Sequence, residues 1–253
     1  MTGLFDLSGQ RALVIGAGAG GLGEYAARAL AAHGARLTLA EQASRLGELA
    51  PVAAHLDATT CAIDVTDEAS VEAAVATAAG DDGIDIVVNF AGAMLRREFD
   101  LTTVEEFERI TRVNLTGNWL VGRAAGKAMR PRGRGRIILM STVYAERVGP
   151  VPETAYYGSK AGVVNIARGL AAELGPHGIT VNCLAPAVFY PTPMTAPLAE
   201  MPDRLEWFSS RTMLGRLGDP ARDIGGPVVF LAGPAASYMT GQVLYVDGGW
   251  SAW

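Results

Sequence analysis

Cysteine and histidine are scarce in this chain of 253 residues: Cys61, Cys183 and three scattered histidines. Each cysteine lies inside an apolar, strand-like segment, far from the other. That pattern predicts buried free thiols rather than a disulfide, and it leaves too few ligands for a metal site. Long hydrophobic runs are missing as well, and none reaches the length of a membrane span. The first residues, Met1-Thr2-Gly3-Leu4-Phe5-Asp6-Leu7, lack the basic start and apolar stretch of a secretory signal, so the expected compartment is the cytoplasm. No basic stripe is present and the net charge is −5. The densest cationic stretch, Arg130-Pro131-Arg132-Gly133-Arg134-Gly135-Arg136, reads as a solvated loop ahead of a strand. A nucleic-acid partner is therefore not expected.

What the chain does contain is alternation. Short apolar runs at Arg11–Ile15, Arg36–Ala40, Cys61–Asp64, Ile84–Phe90, Arg136–Met140, Thr180–Ala185 and Val243–Val246 suit strands buried on both faces. Between them Gly23–His33, Asp67–Ala79, Val104–Thr111, Asn114–Met129, Thr154–Leu174 and Pro220–Leu231 carry apolar positions at helical spacing. Strand and helix in repeated order predict an α/β fold with a doubly wound parallel sheet, in a single Rossmann-type domain over 1–253. One segment departs from the pattern. Residues 187–217 hold Pro191, Pro193, Pro197 and Pro202, with Met194, Met201 and Met213. It follows a strand whose carboxyl end would edge a ligand site, so it is expected to be a mobile lid, with Leu198, Met194, Met201, Trp207 and Phe208 facing inward.

The first strand runs into Gly16-Ala17-Gly18-Ala19-Gly20-Gly21-Leu22-Gly23 and then an Ala-rich helix. Glycines let the backbone approach a pyrophosphate whose charge meets the helix N-terminus, so Gly16, Gly18, Gly21, Leu22 and Gly23 are candidate dinucleotide contacts. Glu41 ends the second strand eighteen residues after Gly23, where a carboxylate can accept from both hydroxyls of an adenosine ribose. It would repel a 2′-phosphate, and Gln42 rather than arginine follows it, so NAD is expected over NADP. Asp64-Val65 should close the third strand near an adenine, and Asn89, Ala91 and Gly92 should close the fourth with little side-chain bulk.

Tyr156 and Lys160 stand four apart within a helical stretch, so their side chains share one face. An ammonium beside a phenol favours the phenolate and is expected to draw the phenol pKa down towards neutrality. Such a tyrosine can exchange a proton with an alcohol or carbonyl oxygen near pH 7.

The glycine loop, Asp64-Val65, Asn89-x-Ala91-Gly92, Val113-Asn114, Tyr156-x-x-x-Lys160, Val181-Asn182-x-x-x-Pro186 and the run from Tyr238 to Gly249 occur in the order found in short-chain dehydrogenase/reductases. The sequence resembles that family along nearly its whole length. The resemblance implies a seven-stranded Rossmann-type sheet, a nicotinamide cofactor and a homotetramer, with a homodimer as the smaller assembly. Tyr156 would be the general acid/base. Lys160 would bind the nicotinamide ribose, and Asn114 would hold a water in a relay to Lys160. Pro186, Val188 and Thr192 would flank the nicotinamide, Thr192 on its carboxamide.

Four departures from the family pattern stand out. The glycine loop is one residue longer. In Ser141-Thr142, the position of the usual substrate-orienting serine is Thr142, which is expected to face the substrate while Ser141 turns away. Ala187 follows Pro186 where glycine is usual, a strain if the backbone there has positive φ. Pro186 to Thr192 is also one residue longer. The expected function is NAD-dependent interconversion of a secondary alcohol and a ketone on a small to medium apolar substrate. Dehydration, epimerisation or imine reduction on the same fold is the alternative, as is a non-catalytic dinucleotide-binding sensor.

Overall fold

The computed structural model describes residues 3–252. Seven strands form one parallel sheet: β1 (Arg11–Ile15), β2 (Arg36–Glu41), β3 (Thr59–Ala62), β4 (Ile86–Asn89), β5 (Gly135–Met140), β6 (Ile179–Pro186) and β7 (Val243–Val246), in the spatial order β3-β2-β1-β4-β5-β6-β7. The order reverses between β1 and β4, which opens a crevice at their carboxyl ends. Registers such as Ile15↔Asn89 and Met140↔Leu184 bring the ends of β1, β4, β5 and β6 to one edge.

Side chains alternate across the strands, and each face finds its own helices. Leu13, Ile15, Val87, Ile137, Leu139, Val181 and Cys183 pack under α3 (Glu68–Ala79), α5 (Gly117–Met129) and α6 (Thr154–Leu174) through Val75, Val121 and Val163. Ala12, Val14, Leu39, Val88, Ile138 and Leu184 pack against α1 (Leu22–Ala32) and α9 (Gly225–Ala232) through Leu30, Val228 and Leu231. The elements α2 (Ala50–Leu56), α4 (Val104–Thr111), α7 (Pro202–Ser210) and α8 (Pro220–Asp223) complete the helices.

Several sequence expectations shift here. The third strand lies two residues earlier than Cys61–Asp64, so Asp64 and Val65 sit past its end. There Asp64 accepts from Thr66 N and Thr66 Oγ1, at 2.8 and 2.7 Å, and remains exposed. The helix expected from Asn114 begins instead as a π turn, Arg112–Thr116, continuous with α4 and α5. Both cysteines are free, Cys183 buried and Cys61 half-buried. The cationic stretch is only partly solvated: Arg132 Nη1 and Arg134 Nε lie 3.1 and 3.0 Å from the buried carboxylate of Asp85. No described helix is long and apolar enough to cross a membrane.

The glycine loop packs without room for side chains at two points. A Cβ on Gly23 would stand 2.2 Å from Gly16 O, and one on Gly16 would stand 2.8 Å from Ala91 N. Both obstacles are backbone and cannot rotate away. Gly23→Ala should therefore destabilise the chain by about 1–3 kcal/mol, as overpacking does, measured by urea denaturation. An unchanged midpoint would mean that the β1–α1 turn opens freely.

Candidate functional site

The crevice is built from the ends of β1, β2, β4 and β5 and the first turns of α6. β1 leads into the glycine loop, where Gly16 and Gly20 take φ of 76° and 73°, conformations that only glycine adopts cheaply. The turn at Gly20 faces Pro193: a Cβ there would lie 3.6 Å from Pro193 Cδ. Gly21 precedes α1 with no side chain capping the helix; Glu24 N donates to Gly21 O at 3.1 Å and Gly20 N to Glu24 Oε2 at 2.7 Å, which leaves Leu22 N and Gly23 N as the first-turn amides for an anion. Glu41 is buried at the end of β2. Its Oε1 accepts from Gln42 N at 2.9 Å, and its Oε2 lies beside Gly18, where a Cβ would come within 3.0 Å.

At the end of β4, Asn89 is spent on structure. Its Nδ2 donates to Asn118 Oδ1 at 3.0 Å, and its Oδ1 accepts from Ala91 N at 3.1 Å. Gly92 leaves the floor low: a Cβ there would lie 3.4 Å from both Asn114 Oδ1 and Lys160 Nζ. Glycine loop, acidic ribose partner, open helix end and low floor together fit a dinucleotide.

Asn114 lies fully buried in the π turn, a distortion that frequently marks functional positions. Its side chain grips the loop after β4: Ala93 N donates to Oδ1 and Nδ2 donates to Ala93 O, both at 2.8 Å, with Ser159 Oγ at 3.0 Å from Nδ2. Its carbonyl accepts from Asn118 Nδ2 at 2.5 Å. Asn114 thus ties α5, α6 and the β4 loop together.

Ser141 and Thr142 point apart. Ser141 Oγ donates to Lys160 O at 2.9 Å, into α6, whereas Thr142 Oγ1 donates to Pro186 O at 3.1 Å and its side chain stands close enough to Tyr156 to favour the ionised phenol. The structure therefore brings Thr142, Tyr156 and Lys160 together and leaves Ser141 outside. Lys160 is buried, its Nζ donating to Met140 O at 2.9 Å and lying 5.8 Å from the Tyr156 ring centre.

The acid–base balance differs from the sequence expectation. Burial pushes the Tyr156 phenol well above its ordinary value; nearby Glu153 adds to the rise, and the neighbouring Thr142 hydroxyl opposes it. Burial also pulls Lys160 down to about 8. Desolvation is the leading cause for both groups, and the ammonium donates to Met140 O.

Beyond Tyr156 the walls combine aromatics with one charged pair. Val143, Tyr144, Leu198, Phe208 and Trp250 cluster with Tyr156, and Tyr144 meets Trp250 edge-on at 5.8 Å. Glu153, at the start of α6, is buried, and Arg96 Nε donates to its Oε1 at 2.8 Å. Burial raises the Glu153 carboxyl, and Arg96 opposes the rise. Neither Arg96 nor Glu153 was legible as a site residue. The only hint is that Glu153 stands three residues before Tyr156, one helical turn along.

The segment after β6 is only partly the apolar lid expected. Leu198 and Phe208 face inward, whereas Met194 and Met201 are exposed and Trp207 is exposed at 38%. Ala187 takes no positive φ, Asp57 being the one such non-glycine among the described residues, so the substitution for glycine carries no backbone strain. Its N–H donates to Val246 O at 3.2 Å. Val188 O accepts from Gly218 N at 3.0 Å, and the Thr192 hydroxyl is engaged with Thr195 Oγ1 at 2.8 Å. A cavity of about 460 Å³ opens between Ala187–Phe189, Thr212–Gly218 and Tyr245–Gly249, but Tyr156 and Thr142 do not line it.

A parallel sheet with a glycine turn at its crevice, facing a buried Tyr–Lys helix, defines a dinucleotide-dependent oxidoreductase of Rossmann type. The chain belongs to the short-chain dehydrogenase/reductase family. A family model described as enoyl-(acyl carrier protein) reductase matches residues 16–251. Galactitol 2-dehydrogenase (L-tagatose-forming) of Cereibacter sphaeroides is 37% identical over 252 residues, covering 99% of this chain and 98% of that protein. Gluconate 5-dehydrogenase of Gluconobacter oxydans is also 37% identical, covering 97% and 96%. The crystal structure of a gluconate 5-dehydrogenase from Burkholderia cenocepacia, in complex with NADP and tartrate, superposes with a TM-score of 0.91 at 32% identity, covering 99% of this chain and 98% of that one.

The buried ammonium makes a stability prediction with a definite sign. Between about pH 8 and the ordinary lysine value near 10.4, the unfolded chain holds a proton on Lys160 that the folded chain does not. Stability then rises with pH relative to a variant lacking the amine. Urea denaturation of wild type and Lys160→Met should show the difference moving in favour of wild type by roughly 3 kcal/mol from pH 7 to pH 10. A pH-independent difference would contradict a neutralised, buried amine.

Proposed function

We propose that this chain is an NAD-preferring dehydrogenase that interconverts a secondary alcohol and a ketone on a short polyhydroxylated carbon chain. The observation that carries the substrate class is the Arg96–Glu153 pair beside Tyr156. A buried carboxylate needs hydrogen-bond partners, and Glu153 has one oxygen bonded to Arg96. Hydroxyl groups of a polyol or sugar acid supply donors to Glu153 and acceptors for Arg96. The apolar substrate expected from the lid residues gives way to this reading because Met194 and Met201 face solvent rather than the site. The two curated relatives, a galactitol and a gluconate dehydrogenase, support it.

Glu41 favours the unphosphorylated ribose, the glycine loop would hold the pyrophosphate, and Lys160 would meet the nicotinamide ribose. When bound, the dinucleotide supplies a hydride acceptor or donor. The chain supplies proton transfer and orientation. Tyr156 would exchange a proton with the substrate oxygen, Thr142 Oγ1 would hold that oxygen in line, and Lys160, released from Met140 O, would favour the phenolate. Asn114 fixes the β4 loop against α6, so that the floor under the reacting carbon stays in register.

Tyr156→Phe keeps the ring and removes the proton carrier. It should lower kcat by about 10²–10⁴-fold while leaving dinucleotide binding within twofold, read by steady-state kinetics and fluorescence titration. Retention of more than about a tenth of kcat would sink the assignment. Glu153→Gln should raise KM for a hexitol about tenfold, the scale of a lost charge-assisted hydrogen bond, with little change for a monohydric secondary alcohol. Equal effects on both substrates would remove Glu153 from polyol recognition.

A further inference from the structure

The Arg96–Glu153 pair belongs to a larger charge arrangement that reaches the segment after β6. Arg97 N donates to Pro152 O at 2.9 Å, which holds the loop after β4 against the start of α6 and keeps Arg96 beside Glu153. The helix α7 brings a second guanidinium. Leu205 and Phe208, three apart on that helix, pack on the Tyr156 cluster. Arg204 stands four residues before Phe208, so it shares the face that seats the helix. Burial raises the Glu153 carboxyl, and Arg204 as well as Arg96 is near enough to oppose the rise. Arg204 is half-buried, and its guanidinium makes no hydrogen bond or ion pair among the described residues.

Charge at this end of the crevice does not balance. One buried carboxylate, Glu153, faces two guanidiniums, and Arg96 spends only Nε on it. Arg97 is answered by Glu106 Oε1 at 3.3 Å, and Asp203 and Glu206 beside Arg204 on α7 are exposed to solvent. The surplus is one positive charge next to the reacting phenol. Glu153, which marks the place, stands three residues before Tyr156, ~4.5 Å along the helix axis. A substrate that reacts at the phenol and reaches Arg204 therefore extends over several carbons. A hydroxyl at its far end would bring no charge to meet the surplus. A carboxylate brings one negative charge and two acceptor atoms that match a guanidinium fork. A phosphate monoester would bring about two charges against a surplus of one.

We propose that Arg204 is a specificity-determining residue that binds a carboxylate at the far end of the substrate chain, so that the site takes sugar acids ahead of neutral polyols. Glu153 and Arg96 then read the hydroxyls between that carboxylate and the reacting carbon. The inference rests on the reading of the Tyr156 site as a dehydrogenase of polyhydroxylated chains, and it narrows that class to anionic members.

The test is steady-state kinetics of the intact protein with NAD, comparing six-carbon aldonates with the hexitols of matching configuration. Wild type should favour the aldonates about tenfold in kcat/KM, the scale of one charge-assisted contact. Arg204→Gln should raise KM for the aldonates about tenfold, with kcat and the hexitol KM within about twofold. Arg204→Lys keeps the charge and should recover most of the loss. Added salt should raise the aldonate KM of wild type and leave that of Arg204→Gln flat. An unchanged aldonate KM in Arg204→Gln, equal changes for both classes, or a wild type that favours the hexitols would overturn the proposal and leave the polyhydroxylated reading standing. Turnover confined to monohydric alcohols, or none with either class, would overturn both.

Discussion

The ammonium of Lys160 is buried at the junction of β5 and α6 and must be satisfied there, because an unpaired buried charge is among the costliest things a fold can hold. Met140 O provides the partner at 2.9 Å, and Ser141 Oγ returns a bond to Lys160 O at 2.9 Å, so strand end and helix are stitched in both directions. Once that seam is fixed, Tyr156 sits one turn earlier on α6 and Thr142 one residue past Ser141, so the two side chains come to the same place. The depressed amine and the raised phenol are two results of the same burial. They describe a site with the phenol protonated and the lysine engaged by Met140 O.

Much of the architecture was legible because a parallel sheet covered on both sides demands continuous apolar strands. The limits of β1 and β7 agree residue for residue with the sequence reading. At the exposed edge, β3 begins at Thr59 and Thr60, polar residues aligned by pairing with Thr38 and Leu39 rather than by hydrophobicity. The helices α2 and α7 were not anticipated; both carry proline in the first turn, Pro51 and Pro202, where it is well tolerated. In the site, the Tyr156/Lys160 spacing, the direction of Thr142 and the place of Glu41 could be read locally. Arg45, Arg96 and Glu153 could not. Arg45 reaches Glu41 only through an unforeseen 3₁₀ turn, and Arg96 meets Glu153 across 57 positions of chain.

The two ends of the crevice solve related problems with similar parts. At each, a buried carboxylate stands beside an arginine: Glu41 with Arg45 at the ribose end, Glu153 with Arg96 beside the phenol. A carboxylate with spare acceptor capacity recognises hydroxyl groups, and the neighbouring guanidinium keeps its charge tolerable in a poorly solvated place. On the proposed reading, specificity for hydroxylated partners at both ends would follow from that pairing.

The most direct measurement is reduced-nicotinamide absorbance with NAD and the intact protein, comparing six-carbon polyols and sugar acids with a monohydric secondary alcohol of equal chain length. The account predicts turnover of at least one polyhydroxylated substrate with a kcat/KM about tenfold or more above that of the monohydric alcohol, the scale set by charged hydrogen bonds to the added hydroxyls. Preference for the monohydric alcohol would contradict it, for then the Arg96–Glu153 pair would have no part in recognising the substrate.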